Sequence, residues 1–236
     1  MSTPPHPSGP IGTPHRRRLR EVWRSAGWPC QDLVEVELLA AGLLDRVRDD
    51  TGRETLRVTD AGLQLMAATL QKNRAARSAH EALVERVALE MQRAGRVVWR
   101  GLSLRAPLVD EHATTTWAIA MPDVFSIRHT TVEDYAEPIA HEVKVRRADL
   151  LGDLRHEAKR AAYLALASQC WYVLQAGIGG PDDVPPECGV LIAHEAALEV
   201  ARPAPKRALR LPFATWMALA RANPEAPLDD GAQAMF

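Results

Sequence analysis

Apolar residues along this chain recur at two spacings, and the change from one to the other divides it. From residue 15 the spacing is helical: Leu19, Val22, Trp23 and Ala26 fall three or four apart, and Gly27 and Pro29 then stop the helix. A second helical stretch, DLVEVELLAAG, ends at Gly42, a residue suited to the turn past a helix end. LLDRVRDDTGRETLRVTDAG reads as strand, turn, strand, with Asp-Asp-Thr-Gly as the turn. Thr59 or Asp60 can cap the next helix, expected over 61–71. AHEALVERVALEMQRA, residues 79–94, is predicted as a separate amphipathic helix with Leu83, Val84, Val87 and Met91 as its stripe. The period then shortens to two. RVVWRGLSLRAP, WAIAMPDVFSI and IAHEVKVRR are expected as three strands, with the polar loop VDEHATTT after the first. ADLLGDLRHEAKRAAYLALAS follows as one long helix, capped by Asp149 and packed through Leu150, Leu154, Ala158 and Ala161 or Ala162. CWYVLQA and CGVLIAHE are further strands, and RALRLPFATWMALARA closes with a short helix.

These patterns predict a disordered tail over 1–14, a small helical unit with a hairpin over 15–78, an α/β domain over 79–222 and a loose acidic tail over 223–236. In the first unit two helices, a hairpin and the ending RVTDAG-x-x-L resemble a winged helix-turn-helix. The resemblance implies DNA contact, yet the second helix carries Asp32, Glu35 and Glu37 and no basic residue, which repels phosphates. The hairpin differs, because Arg46, Arg48, Arg53 and Arg57 gather there. DNA contact through the wing and a protein-contact or dimerisation role both fit. The run Arg16–Arg17–Arg18 suits phosphate contact or a solvated helix face equally.

Composition narrows the choices. The 236 residues carry a formal charge of −1, so any nucleic-acid surface must be local. Arg outnumbers Lys by 25 to 4, and Lys144 and Lys159, both in the α/β domain, are two of the four lysines. Where Arg is the usual cation, a Lys points to a compact charge that matters. Cys30, Cys170 and Cys188 lack C-x-x-C spacing, and the amino terminus lacks an apolar signal segment. Reduced thiols and a cytoplasmic location are therefore expected. Phosphate loops, nucleophile elbows and zinc spacings are missing from the sequence.

Residues 117–147 carry the chemistry. Glu142 and Lys144 are separated by one residue, so a strand puts both on one face and turns Val143 and Val145 to the other. Asp123, after Pro122 on the neighbouring strand, supplies a second carboxylate. Taken singly, Asp123 reads as a turn residue and the Glu142–Lys144 pair as a surface ion pair. Together they form a set that holds Mg²⁺, which needs only one or two carboxylates beside its waters; the Val143 carbonyl offers a third oxygen. Such a metal activates water and polarises a phosphoryl oxygen, while Lys144 orients the water or stabilises developing charge.

PDVF followed nineteen residues later by HEVK resembles the PD-(D/E)XK nuclease superfamily. RRADLLGDLR, CWYVL and VPPECGVLIAHEAALEVAR extend the resemblance, over roughly 80–215, to MmcB-type bacterial DNA-repair proteins. It implies a restriction-endonuclease-like mixed sheet flanked by helices. It further implies a Mg²⁺- or Mn²⁺-dependent DNA nuclease in repair, defence or mobile-element processing. An additional acid from the first helix, Glu85 or Glu81, is expected at the metal. Lys159-x-x-x-Tyr163 resembles the Q-x-x-x-Y element of RecB-like members, with Lys in place of Gln, and with Arg155 it is expected to position the DNA backbone. A non-catalytic DNA-binding or regulatory protein on the same scaffold is the alternative. Homodimerisation through the winged helix is the remaining partner expectation.

Overall fold

The computed structural model describes residues 10–25, 27, 29–109, 112 and 114–227. The expected tails therefore lie largely outside the described residues, as does Ala26. The described chain divides into two compact units, residues 1–75 and 76–236.

In the first unit, helices α1 (Thr13–Arg24) and α2 (Leu33–Ala40) precede the antiparallel hairpin β1 (Leu44–Arg48) and β2 (Glu54–Val58). Leu19, Val22, Leu38, Leu43, Leu44, Leu56 and Val58 form its core. Trp23, expected on the buried stripe, is exposed instead. The helix α2 starts where the Asp32 carboxylate accepts the Glu35 amide, a capping bond that offsets an otherwise unpaired donor. Asp49 ties the hairpin turn by accepting from the amides of Thr51 and Arg53, and Gly52 takes the left-handed conformation the turn needs. Thr59 Oγ1 accepts the Gly62 amide and starts the next helix.

That helix, α3, runs from Asp60 to Arg93. Two helices were expected with a break near 72–78. The intervening KNRAARS has neither Gly nor Pro, and its Lys, Arg and Ala favour helix, so nothing halts propagation. The division between the units falls within α3, three residues before the expected boundary.

The second unit is built on a mixed sheet in the order β10-β9-β8-β7-β6-β3. Its strands are β3 (Arg96–Arg100), β6 (Val124–Arg128), β7 (Ile139–Lys144), β8 (Gln169–Gln175), β9 (Gly189–Ala193) and β10 (Leu198–Arg202). The strands β3, β6 and β7 pair antiparallel, β7–β8–β9 pair parallel, and β10 returns antiparallel on β9. One face packs Val98, Val124, Val143, Val173 and Leu191 against Leu83, Val84, Val87 and Ala88 of α3. The other packs Phe125, Ala140, Tyr172 and Leu174 against α4 (Arg147–Leu154), α5 (Glu157–Leu166) and α6 (Phe213–Arg221).

Two expected elements are divided. RVVWRGLSLRAP and WAIAMPDVFSI each form two strands, giving a second small hairpin, β4 (Leu104–Val109) with β5 (Thr115–Ala120). The ribbon β3–β6 bends away from the sheet where Gly101 adopts a positive φ on one strand and Pro122, lacking an amide donor, interrupts the other. The expected long helix is likewise broken at Arg155–His156 into α4 and α5, and Asp149 lies in the first turn of α4 while Arg146 occupies the cap position.

Candidate active site

Strand β7 brings Glu142 and Lys144 to the α4–α5 face of the sheet, and their side chains hydrogen-bond to each other. Val143, on the opposite face, is fully buried in the α3-side core, with Val145 packed partly against it. The Val143 amide donates to Asp123 Oδ2 at 2.7 Å, which pins the carboxylate at the bend of the ribbon to the neighbouring strand. Two acids nineteen positions apart and an amine thus meet at one place. Burial, then the negative charge of Glu142, raises the Asp123 pKa above the usual carboxylate value; the Val143 amide, His80 and Lys144 offset part of this.

The cluster is larger than the sequence motif. Lys159 Nζ donates to Glu142 Oε1 and to Asp153 Oδ1, each at 2.6 Å. Asp153 Oδ1 also lies 3.4 Å from Lys144 Nζ, and its Oδ2 accepts the Tyr172 hydroxyl at 2.8 Å. The Tyr163 hydroxyl lies 2.8 Å from both Glu142 Oε2 and the Met121 carbonyl, and its one proton serves a single acceptor at a time. Burial alone would raise Asp153 and lower Lys159; their mutual bond and the surrounding opposite charges reverse both, holding Asp153 below its ordinary value and Lys159 above. Burial first and then Glu142 raise Tyr163; burial and then Asp153 raise Tyr172. Both phenols stay neutral donors.

Asp153 reaches Lys159 only because the helix breaks. Six positions along one α-helix lie about 120° apart around the axis and about 9 Å apart along it. The break at Arg155–His156 folds them together.

Beside Asp123, a cavity of about 470 Å³ is lined by His80, Glu81, Arg100, Met121, Pro122 and Glu225, among others. His80 Nε2 is 3.5 Å from Asp123 Oδ2, and its Nδ1 is 3.9 Å from Glu81. Of the two candidate helix acids, Glu81 therefore lines the cavity shared with Asp123, whereas Glu85 is not among its lining residues. His80, Asp153 and Tyr172 were not singled out from the sequence. His80 precedes a candidate acid on the same helix, the one signal the sequence held; Asp153 needed the helix break.

The residues expected on nucleic acid divide into two groups. Lys159 and Tyr163 are turned onto Glu142, and Tyr163 is buried. Arg155 is exposed at the end of α4. In the first unit Arg46 pairs with Glu54 at 2.7 Å, Arg48 and Arg53 are exposed on the hairpin and its turn, and Arg57 lies 3.5 Å from Asp45. The acids of α2 act within that unit: Glu35 is buried and accepts the Gln31 amide, Asp32 bonds Arg18 at 2.6 Å, and Glu37 bonds His15.

Among the described residues no three His, Cys, Asp or Glu side chains converge as a ready metal-ligand set. The Asp123–Glu142 pair alone still fits a hard cation. Its donors are all oxygen, its two charges repel, and Mg²⁺ completes its shell with water. No helix among the described residues is long and apolar enough to cross a membrane. No family model matches the chain, and no curated protein does. A protein of unknown function from Silicibacter pomeroyi is similar in structure at 22% identity, with a TM-score of 0.39, over 57% of this chain and 77% of that one.

Proposed function

We propose that the second unit is a divalent-metal-dependent DNA nuclease of the PD-(D/E)XK type. The observation that carries this reading is the meeting of Asp123, Glu142 and Lys144 on adjacent strands β6 and β7. The order of helix, three antiparallel strands, helices and parallel strand supports it, because it follows the arrangement that the sequence resemblance implies. Asp123 and Glu142 hold the cation, with the Val143 carbonyl as a further oxygen. A bound Mg²⁺ or Mn²⁺ supplies an activated water and a polarised phosphoryl oxygen. Lys144 orients the nucleophile and meets the charge that develops on phosphorus. Tyr163 fixes the Glu142 carboxylate through its hydroxyl. Repair, defence or mobile-element processing is the setting, and the cytoplasm the compartment.

A first unit with helices α1 and α2, a hairpin and the start of α3 supports the winged-helix reading. Its α2 exposes Leu33 and Val36 and uses its acids internally, which favours protein contact, including self-association, over major-groove insertion.

One observation favours a second reading, a non-catalytic DNA-binding scaffold. Glu142 Oε1 already accepts from both Lys144 and Lys159 and Oε2 lies within bonding distance of Tyr163, so a cation competes with donors that already neutralise the carboxylate. Nicking of supercoiled plasmid with Mg²⁺ or Mn²⁺ separates the two. The nuclease reading expects metal-dependent nicking that falls at least ~100-fold in Glu142→Gln and in Lys144→Ala, the size of effect typical for losing one charge-stabilising group. Equal nicking by all three proteins, or cleavage by the wild type of neither the plasmid nor a single-stranded oligonucleotide, overturns it.

A further inference from the structure

The hairpin β4–β5 has two unlike faces. Its inner face, Leu104, Ala106 and Ala120, is buried in the core with Tyr163 and Leu166 of α5. Its outer face carries Trp117, Ile119 and Met121, at alternate positions running on from the end of β5, and all three are at least half exposed. Arg105 stands opposite Ile119 in the ladder, and its guanidinium lies 5.3 Å from the centre of the Trp117 ring. The row leads into the proposed active site. Met121 lines the same cavity as Asp123, and its carbonyl is within bonding distance of the Tyr163 hydroxyl that also meets Glu142.

We propose that this outer face is a stacking platform for unpaired bases, so that the substrate is single-stranded or locally splayed nucleic acid. The proposal rests on the nuclease reading and names its substrate class. The Arg105 guanidinium lies over the Trp117 ring, so the pair offers a base a planar cationic and aromatic stack with the charge near its phosphate, and such stacking tolerates any sequence. Duplex bases are stacked on one another and cannot reach the ring. Arg105 also argues against a second copy as occupant: covering the face with itself would bring desolvated guanidinium groups into an apolar contact. A polyanion turns the same charge to advantage. From Trp117 the row runs through Ile119 to Met121 at the ribbon's bend, which directs a strand held on the platform towards Asp123.

The test is fluorescence anisotropy of a labelled oligothymidylate in EDTA, where no cleavage occurs, with full-length wild type, Trp117→Ala, Trp117→Phe and Arg105→Ala. The platform predicts that the wild type binds the single strand more tightly than a duplex of equal length. It predicts a rise in Kd of about 5- to 100-fold for Trp117→Ala, the range for loss of one stacked base, with recovery in Trp117→Phe. Arg105→Ala should weaken binding and flatten its salt dependence. Equal binding by wild type and Trp117→Ala, or no binding by wild type, overturns the proposal. Loss of self-association in Trp117→Ala on sedimentation, with oligonucleotide binding unchanged, assigns the face to a protein partner and also overturns it. Failure of the nuclease reading registers separately, as absent metal-dependent cleavage of plasmid and single strand alike, and leaves the anisotropy result standing.

Discussion

At the scale of single residues, charge is concentrated where the sheet meets α4 and α5. Alternation on a strand made Glu142 and Lys144 readable as neighbours, and Pro122 marked Asp123 as a residue at a turn. Nothing local revealed Asp153 or Tyr172, since their contacts depend on a helix break and on a parallel strand pairing between distant segments. His141, beside Glu142 but on the other face, is fully buried. Burial first, and Arg96 next, lower its pKa to about 3 from 6.5. The unfolded chain therefore binds a proton that the folded chain refuses, and stability falls as pH drops from about 6.5 towards 3. Between pH 6.5 and 5 this one group removes about 2 kcal/mol, at ~1.4 kcal/mol per pH unit. Denaturant melts in EDTA should show that loss in the wild type and a flatter profile in His141→Leu; identical profiles would mean that His141 is protonated in the folded state.

At the scale of elements, the outline was readable and the interruptions were not. Period two located the β3, β6, β7, β8 and β9 strands, and period 3.6 located α1, α2 and both halves of α3. The return strand β10 was not distinguished, because LEVAR is short, carries Glu199 and Arg202, and has its Val200 exposed on an edge. The break between α4 and α5 follows Gly152, a weak helix former in the last turn of α4 that the helical pattern masked, and tertiary pairing of Asp153 with the two lysines adds to it. Gly27 marks a constraint that the sequence showed only as a helix stop. Its φ is +75°, its carbonyl accepts the Leu56 amide at 2.7 Å, and a Cβ would lie 2.2 Å from the Leu56 carbonyl oxygen. Gly27→Ala should therefore cost about 2 kcal/mol or more, through strain and loss of the hairpin contact. Equilibrium unfolding followed by far-ultraviolet circular dichroism checks this, and an unchanged midpoint would refute it.

At the scale of the whole molecule, each unit has a core of its own. The core of the first ends at Leu56 and Val58 with partial support from Leu63, Leu65 and Met66; both cores of the second begin at or after Leu83. A fragment spanning 76–236 should accordingly fold cooperatively, and if the nuclease reading holds it keeps the Asp123–Glu142–Lys144 cluster intact. A broad, non-cooperative melt of that fragment would contradict the division. The central claim concerns the cluster itself: that Asp123 and Glu142 are a cation site, and that Asp153 takes over Lys144 and Lys159 when the cation arrives. Anomalous diffraction from crystals soaked in Mn²⁺ tests it most directly. The account predicts a peak within coordination distance of both carboxylates, with the Lys159 amine withdrawn onto Asp153. A map at saturating Mn²⁺ with no peak there, and Glu142 still bonded to both lysines, would contradict it.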